Sequence, residues 1–231
     1  MADALRAKQR PLKDNYRVDP SSALVTLRSS GTLDASSITC KLSTGAAIRD
    51  AKAKLSSDAH SHSCSRDHDH DHNHDHSHSH DNGNDGPQKV AGLHQMAGGD
   101  DPTLSGELCS GDMLLEALVA CAGVTLKAVA TALGIPIKSG VVRAEGDLDF
   151  RGTMGVDKEA PVGFTDIRLG FELKTAEEVD DDKIERLGKL TERYCVVLQT
   201  LVHKPKLTVR LAGGAETEDG VDRGFVWGQK L

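Results

Sequence analysis

The chain has 231 residues, 38% hydrophobic and 27% charged, with a formal net charge of −7, the make-up of a soluble globular protein of one generous domain or two small ones. The negative balance, with no basic stripe anywhere along the chain, excludes a general nucleic-acid binder, which needs cations to neutralise phosphates. Aromatics are only 3% of the residues, so the core has to be built mainly from Leu, Val, Ile and Ala.

Met1 to Arg10 has no apolar h-region and is not a secretory signal. Residues 1–22 are polar, contain Pro11 and Pro20, and read as a flexible N-terminal arm. Ala23, Val25 and Leu27 then alternate with Leu24, Thr26 and Arg28; a turn is expected around Ser29 to Thr32; Ile38, Cys40 and Leu42 resume the alternation. A period of two on both sides of a turn predicts a hairpin with Cys40 facing the core. From about residue 50 to 88 almost no apolar residue occurs, and His60 to His80 is a low-complexity run of His, Asp and Ser. Such a segment cannot bury enough surface to offset its ordering entropy and reads as a disordered insertion.

Val90 to Met96 is a candidate third strand, followed by a loop over 98–106. Ser110 or Asp112 can cap a helix that runs to about Leu133 and stops at Gly134 and Pro136. Between Met113 and Leu133 its only charges are Glu116 and Lys127, so it is apolar almost all round and lies inside something; a dimer partner is expected to cover part of it. Its longest uninterrupted apolar run, Ala117 to Leu126, is too short for a bilayer, so no membrane association is expected. Two alternating strands follow, around 142–150 and 167–174. A second helical region, opened by Thr175 and Glu178 or by Asp180 to Asp182, carries the stripe Ile184, Leu187, Leu190, Tyr194, Leu198 and Leu201, with Cys195 beside it. Leu207, Val209 and Leu211 mark a last strand, and 213–231 is a Gly-rich, acidic tail ending in Phe225, Val226 and Trp227. Three strands, a buried helix, two strands, a helix and a strand make an α+β fold with an antiparallel sheet over 23–212.

The five cysteines, Cys40, Cys64, Cys109, Cys121 and Cys195, are odd in number and widely spread. Without a signal peptide they read as reduced thiols of a cytoplasmic protein. Each taken alone is either a small core residue or a reactive thiol. Two segments change the weighing of Cys121 and Cys195. Gly111-Asp112-Met113-Leu114-Leu115-Glu116-Ala117-Leu118-Val119-Ala120-Cys121 resembles the opening of the central helix of OsmC and Ohr proteins, and Glu192-Arg193-Tyr194-Cys195, with Leu198-Gln199-Thr200-Leu201 after it, resembles their second-cysteine segment. Lys206 to Arg210 looks like their final strand.

The resemblance implies a thiol peroxidase acting on organic hydroperoxides. It also implies an OsmC-like fold: an intertwined homodimer with a long buried central helix. On this reading Cys121 attacks the peroxide and becomes a sulfenic acid, Cys195 condenses with it to a disulfide, and a lipoyl-type or thioredoxin-like dithiol resets the pair, with no cofactor required. A buried thiol is raised in pKa, so a nearby cation is expected to offset the desolvation. Arg28, at the end of the first strand, is the candidate for the family's thiolate-holding Arg, with Arg17 second; Asp112 stands where the family has a Glu and is equally a candidate N-cap. The residue after the second cysteine is often Pro in the family and is Val196 here. Cys109, just ahead of the helix, is either a loop cysteine or an alternative resolving thiol, Cys40 reads as core, and His94 and His203 lie near strand ends.

The histidine run offers different chemistry. His68, His70, His72, His74, His76, His78 and His80 alternate with Asp, Asn and Ser, and His60, His62 and Cys64 precede them. Imidazole and carboxylate suit Zn, Ni or Cu, in many equivalent ligand sets rather than one fixed site. The alternative function is therefore a non-enzymatic metal-binding or metal-buffering protein on the same dimeric scaffold. A third is a hydrolase or small-molecule binder using the interface pocket.

Overall fold

A computed structural model describes residues 2–42, 90–213, 216, 217, 220, 221 and 224–228. The insertion, including Cys64 and the histidine run, lies outside them. The described chain is a mixed α+β fold around one central helix.

The sheet is antiparallel, in the order β2 (Lys41–Leu42), β1 (Leu24–Asp34), β5 (Ile137–Asp149), β6 (Phe164–Thr175). The two long strands 137–149 and 164–175 follow the alternation seen in the sequence except at the end of β5, where a register shift after Asp147 turns Asp149 inward and leaves Phe150 outside the strand. β1 departs from it: no turn interrupts Ser29 to Thr32, and the strand stays paired with β5 from Leu24 opposite Asp149 to Asp34 opposite Ser139. Its polar, small residues look like a turn locally but are held by the partner strand, and Ser29 and Gly31 face inward as buried residues. The second hairpin strand shrinks to the two residues of β2, set against Gly31 and Thr32. β3 (Val90–Gly92) lies outside this sheet, paired in parallel with β4 (Glu107–Cys109).

The central helix α2 (Ser110–Ala132) has nearly its expected bounds. Cys109 occupies the N-cap position without a side-chain bond, so neither Ser110 nor Asp112 is the cap. At the other end Gly134, at φ 67°, turns the chain, and the Ile135 N–H donates back to the Ala130 carbonyl at 2.9 Å. The helix is long and apolar enough to cross a membrane by length and composition alone. In this fold its inner face packs on the sheet, with Leu115, Leu118, Val119, Ala122 and Leu126 at or below 1% exposure. Its buried Lys127 is satisfied by donating to the Asp34 carbonyl at 2.7 Å.

Residues 2–18 correct the expectation of a flexible arm: Ala2–Val18 form helix α1, with Pro11 inside it. Its anchor is Tyr16, 2% exposed, packed with Ala23, Ala97, Phe150 and Met154 and donating its hydroxyl to the Met96 carbonyl at 2.7 Å. That contact is eighty residues away in sequence, which is why local composition did not announce it. The second helical region also differs, dividing into α3 (Asp181–Tyr194) and α4 (Val196–Val202) at Cys195. The last strand, β7 (Thr208–Ala212), pairs with β8 (Gly224–Gly228) in a separate hairpin and is exposed along its length.

α2 approaches β1 over two glycines. A Cβ on Gly123 would lie 2.7 Å from the Cys40 sulfur and 2.8 Å from its Cβ; one on Gly31 would lie 2.5 Å from the same sulfur and 2.9 Å from Val119. Cys40 is thus the core spacer that its register suggested. Gly123→Ala would gain about 1 kcal/mol of helix propensity but forces an overpacked contact worth about 1–3 kcal/mol. Chemical denaturation should show net destabilisation of up to about 2 kcal/mol, relieved more fully in the Gly123→Ala/Cys40→Gly double variant, which removes both the Cys40 sulfur and its Cβ, than in Gly123→Ala/Cys40→Ala, which removes the sulfur alone.

Candidate active site

Cys195 sits where α3 ends and α4 begins, with φ −72° and ψ 105°, an extended conformation inside an otherwise helical stretch. Its N–H closes α3 on the Thr191 carbonyl at 3.0 Å, and its carbonyl opens α4 by accepting from Gln199 at 2.9 Å. The break leaves the Glu192 carbonyl without its helical donor, and the Gln199 side-chain amide takes that place at 2.9 Å. It also frees the first N–H groups of α4, which a continuous helix would consume internally.

Those N–H groups converge on two sulfurs. Burial works against the Cys121 thiolate, but donors outweigh it: the Val197 N–H, the Cys195 thiol, the Thr125 hydroxyl and the Val196 N–H all bond to its sulfur, and the pKa lies below the ordinary thiol value. Cys195 is shifted the other way. Burial is the main cause, reinforced by the Cys121 sulfur beside it and partly offset by the N–H groups of Leu198 and Val197. Both thiols are free in the structure; Cys121 is partly exposed and Cys195 is sealed from solvent. The structure therefore brings together the two cysteines that the sequence paired only by resemblance. It supplies hydrogen-bond donors where a cation was expected.

The other expected site residues stand elsewhere in the protomer. Arg28 lies on the sheet face turned away from α2, its Nε donating to Glu145 at 3.0 Å, with a side chain 68% exposed. Arg17 is paired with Asp14 on α1. Asp112 is two and a half helical turns from Cys121, about 13.5 Å along the axis. Burial raises the Asp112 pKa, with His94 opposing and Glu116 adding to the effect. His94 is itself lowered by burial, stacks on Phe150 with ring centroids 5.0 Å apart, and accepts the Met96 N–H at Nδ1, which leaves the proton of its neutral form on Nε2. Cys109 joins His94 and Asp112 around a small cavity at the start of α2 and also lines a larger one of about 270 Å³ with Leu114, Phe150 and Phe164. His203 ends α4. The histidine run lies outside the described residues. Among the described residues no group of three or more His, Cys, Asp or Glu side chains is placed to hold a metal.

Thr125 and the α4 backbone are the residues that sequence reasoning missed. Thr125 carried a usable signal: it lies four residues after Cys121, one helical turn away on the same side. The backbone donors carried none, because they depend on a helix break made without Gly or Pro.

Residues 102–210 match the family model described as OsmC-like protein. No curated protein matches the chain.

The donors predict a pH profile. With its pKa lowered, Cys121 should be alkylated by iodoacetamide with a midpoint below that of a free thiol, while Cys195, raised and sealed, should stay unmodified in the same range. Thr125→Val and Cys195→Ala each remove a donor and should move the Cys121 midpoint upward; Thr125→Ser should keep it. Peptide-resolved alkylation rates between pH 5 and 10 check this, and a midpoint that none of the variants moves would refute the role of these donors.

Proposed function

We propose that this chain, a member of the OsmC-like family, reduces organic hydroperoxides through Cys121 and Cys195. The observation that carries the reading is the contact between a partly exposed thiol of lowered pKa and a buried one of raised pKa. The thiolate is the nucleophile in such chemistry. The Cys121 thiolate attacks one peroxide oxygen, the O–O bond breaks, and the alkoxide leaves to be protonated to the alcohol. The resulting Cys121 sulfenic acid meets the Cys195 thiol already in contact with it; the S–S bond forms and water leaves. A resolving thiol at contact distance also guards against over-oxidation to sulfinic acid. A dithiol then returns the pair to its reduced form.

The same reading includes a homodimer. The uncovered side of α2 carries Leu114, Ala117, Cys121, Val124, Ala128 and Thr131 at alternating spacings of three and four, the pattern of a helix seam that packs on another helix. Leu114 and Val124 are 36% and 41% exposed. The hairpin of β7 and β8 likewise leaves Leu207, Val209, Leu211 and Phe225 about half exposed, and an isolated two-stranded hairpin is marginal in water. A second copy that covers α2 and takes up the hairpin satisfies both faces. It places Cys121 within an apolar interface suited to an alkyl peroxide rather than to hydrogen peroxide.

The decisive test is one equivalent of cumene hydroperoxide on the reduced, metal-free protein, read by intact mass and a non-reducing peptide map. A rapid, stoichiometric Cys121–Cys195 disulfide is expected, absent in Cys121→Ser and replaced in Cys195→Ala by a sulfenic acid that dimedone traps. Deleting residues 58–82 should leave the reaction unchanged. Slow, unselective oxidation of all the thiols would overturn the peroxidase reading and favour metal binding at the histidine run.

A further inference from the structure

α1 and the turn ahead of α3 carry opposite charge. α1 holds five cations against two acids, in a chain whose net charge is −7. Arg6, Arg10, Lys13 and Arg17 recur at spacings of four, three and four, so they form one stripe along the helix, and they line a shallow groove of about 440 Å³. Residues 177–182 contain Glu177, Glu178, Asp180, Asp181 and Asp182, all exposed. We propose that each surface is the partner of the other across a homodimer: the cation stripe of α1 in one protomer docks on the acidic turn 177–182 of a second copy, twice per dimer. The proposal rests on the homodimer read above. It adds the direction in which the two copies pack and a contact made by α1, which lies ahead of the family-matched residues 102–210.

Neither cluster is neutralised within its protomer. Among the described residues the ion pairs of the stripe are Arg6 with Asp3 and Arg17 with Asp14, both local and exposed, and Arg10 and Lys13 form none. Of the acids in the turn, Asp180 alone is paired among the described residues, with Lys183 at 3.8 Å. Asp181 and Asp182 suit the positive end of α3, in whose first turn they stand, but Glu177 and Glu178 precede that helix and are not accounted for by it. Both surfaces are held firm from behind. Tyr16 anchors α1 in the core. Val179 packs on the main core, and the Ala176 N–H donates to the Pro136 carbonyl at 2.8 Å. Preformed surfaces lose little freedom when they meet.

The two clusters stand at opposite ends of α2. Tyr16 packs on Phe150, which lines a cavity at the helix start with Ser110 and Leu114. Pro136, which holds the turn, comes just after the helix ends at Ala132. A helix of 23 residues is about 34 Å long, several times the Debye length of about 8 Å, so stripe and turn do not pair within one protomer. The seam on α2 shows where they do. Its spacings from Leu114 to Thr131 are three, four, three, four and three. They read the same in both directions, with the midpoint between Cys121 and Val124. Two copies related by a two-fold axis through that midpoint pack antiparallel, which sets the start of one α2 beside the end of the other. Each stripe then comes to the side of the molecule where the other copy carries its acidic turn. Parallel packing also covers an apolar seam, but it sets stripe towards stripe and turn towards turn, and like charges repel. The charges therefore select the antiparallel dimer.

Charge reversal tests this with variants that leave both cysteines and the first turn of α3 intact. Arg10→Glu/Lys13→Glu reverses the stripe, and Glu177→Lys/Glu178→Lys reverses the turn. Sedimentation velocity at low salt should show each variant dimerising about tenfold more weakly than wild type, with an unchanged far-UV circular dichroism spectrum and a smaller difference at high salt. Mixing the two variants matches each reversed stripe with a reversed turn and each native stripe with a native turn. Native mass spectrometry of the mixture should therefore find the mixed dimer well above the half expected from random exchange, and the variant with all four substitutions should dimerise as wild type does. Dimer affinity unmoved by either reversal, or random exchange in the mixture, overturns the proposal and leaves the stripe to some other anionic partner. Wild type that stays monomeric at every concentration overturns the homodimer reading itself, and the proposal with it, so the two failures are distinct.

Discussion

The close approach of α2 to β1, made over Gly31 and Gly123 with the Cys40 side chain between them, is the constraint on which the site depends. Residues two apart on a helix point about 200° apart. Pressing Gly123 onto the strand therefore turns Cys121 to the opposite flank, where α3 and α4 pass. A larger residue at either glycine would lift the helix from the sheet and shift its sulfur against the second cysteine. The contact between Cys121 and Cys195 is thus set from behind, by small residues that touch neither of these two sulfurs.

What meets Cys121 on that flank is a broken helix. The break at Cys195 removes a helical hydrogen bond, and the structure replaces what it can: the Gln199 amide caps the Glu192 carbonyl, and the freed N–H groups of Val196 and Val197 turn to the Cys121 sulfur. Hydrogen bonds to an ionised partner are the strong ones. Here they do the work that the desolvation argument assigned to a cation, with Arg28 held on the far face of the sheet by Glu145. A thiolate held by dipoles of its own protomer depends little on added salt, since close hydrogen bonds in a partly buried site are screened far less than surface charges. Valine after the second cysteine fits the same arrangement, because proline there would have no N–H to give.

The parts of this site that were legible in the sequence are those fixed by local periodicity. The bounds of α2 follow from an apolar run ended by Gly134, and β5 and β6 follow from strict alternation. The parts that were not legible are fixed by distant partners. Ser29 to Thr32 look like a turn and are a strand because β5 pairs along them. The N-terminal residues look like an arm and are a helix whose Tyr16 is tied to Met96. The stripe from Ile184 to Leu201 runs on through Cys195 as though unbroken, and the break becomes visible only through the groups it frees. Cys121 and Cys195 could each be read from sequence as core residues; their contact belongs to the tertiary structure, and the family resemblance was its only trace along the chain.

On the proposed function, assembly and reactivity would be linked through α2. Cys121 lies near the middle of the seam from Leu114 to Thr131, so in the proposed dimer a second copy seated on that seam would change the surroundings of its sulfur. Covering the seam removes water from the thiolate, which by itself raises a thiol pKa. The same covering removes water that competes for the four donors and strengthens each bond they make in the lower local dielectric. The donors come from α2 itself and from the broken helix, and so are set within one protomer. In the proposed dimer the partner would supply an apolar surface for the peroxide's alkyl group, while the donors to the Cys121 sulfur are all in place within one protomer.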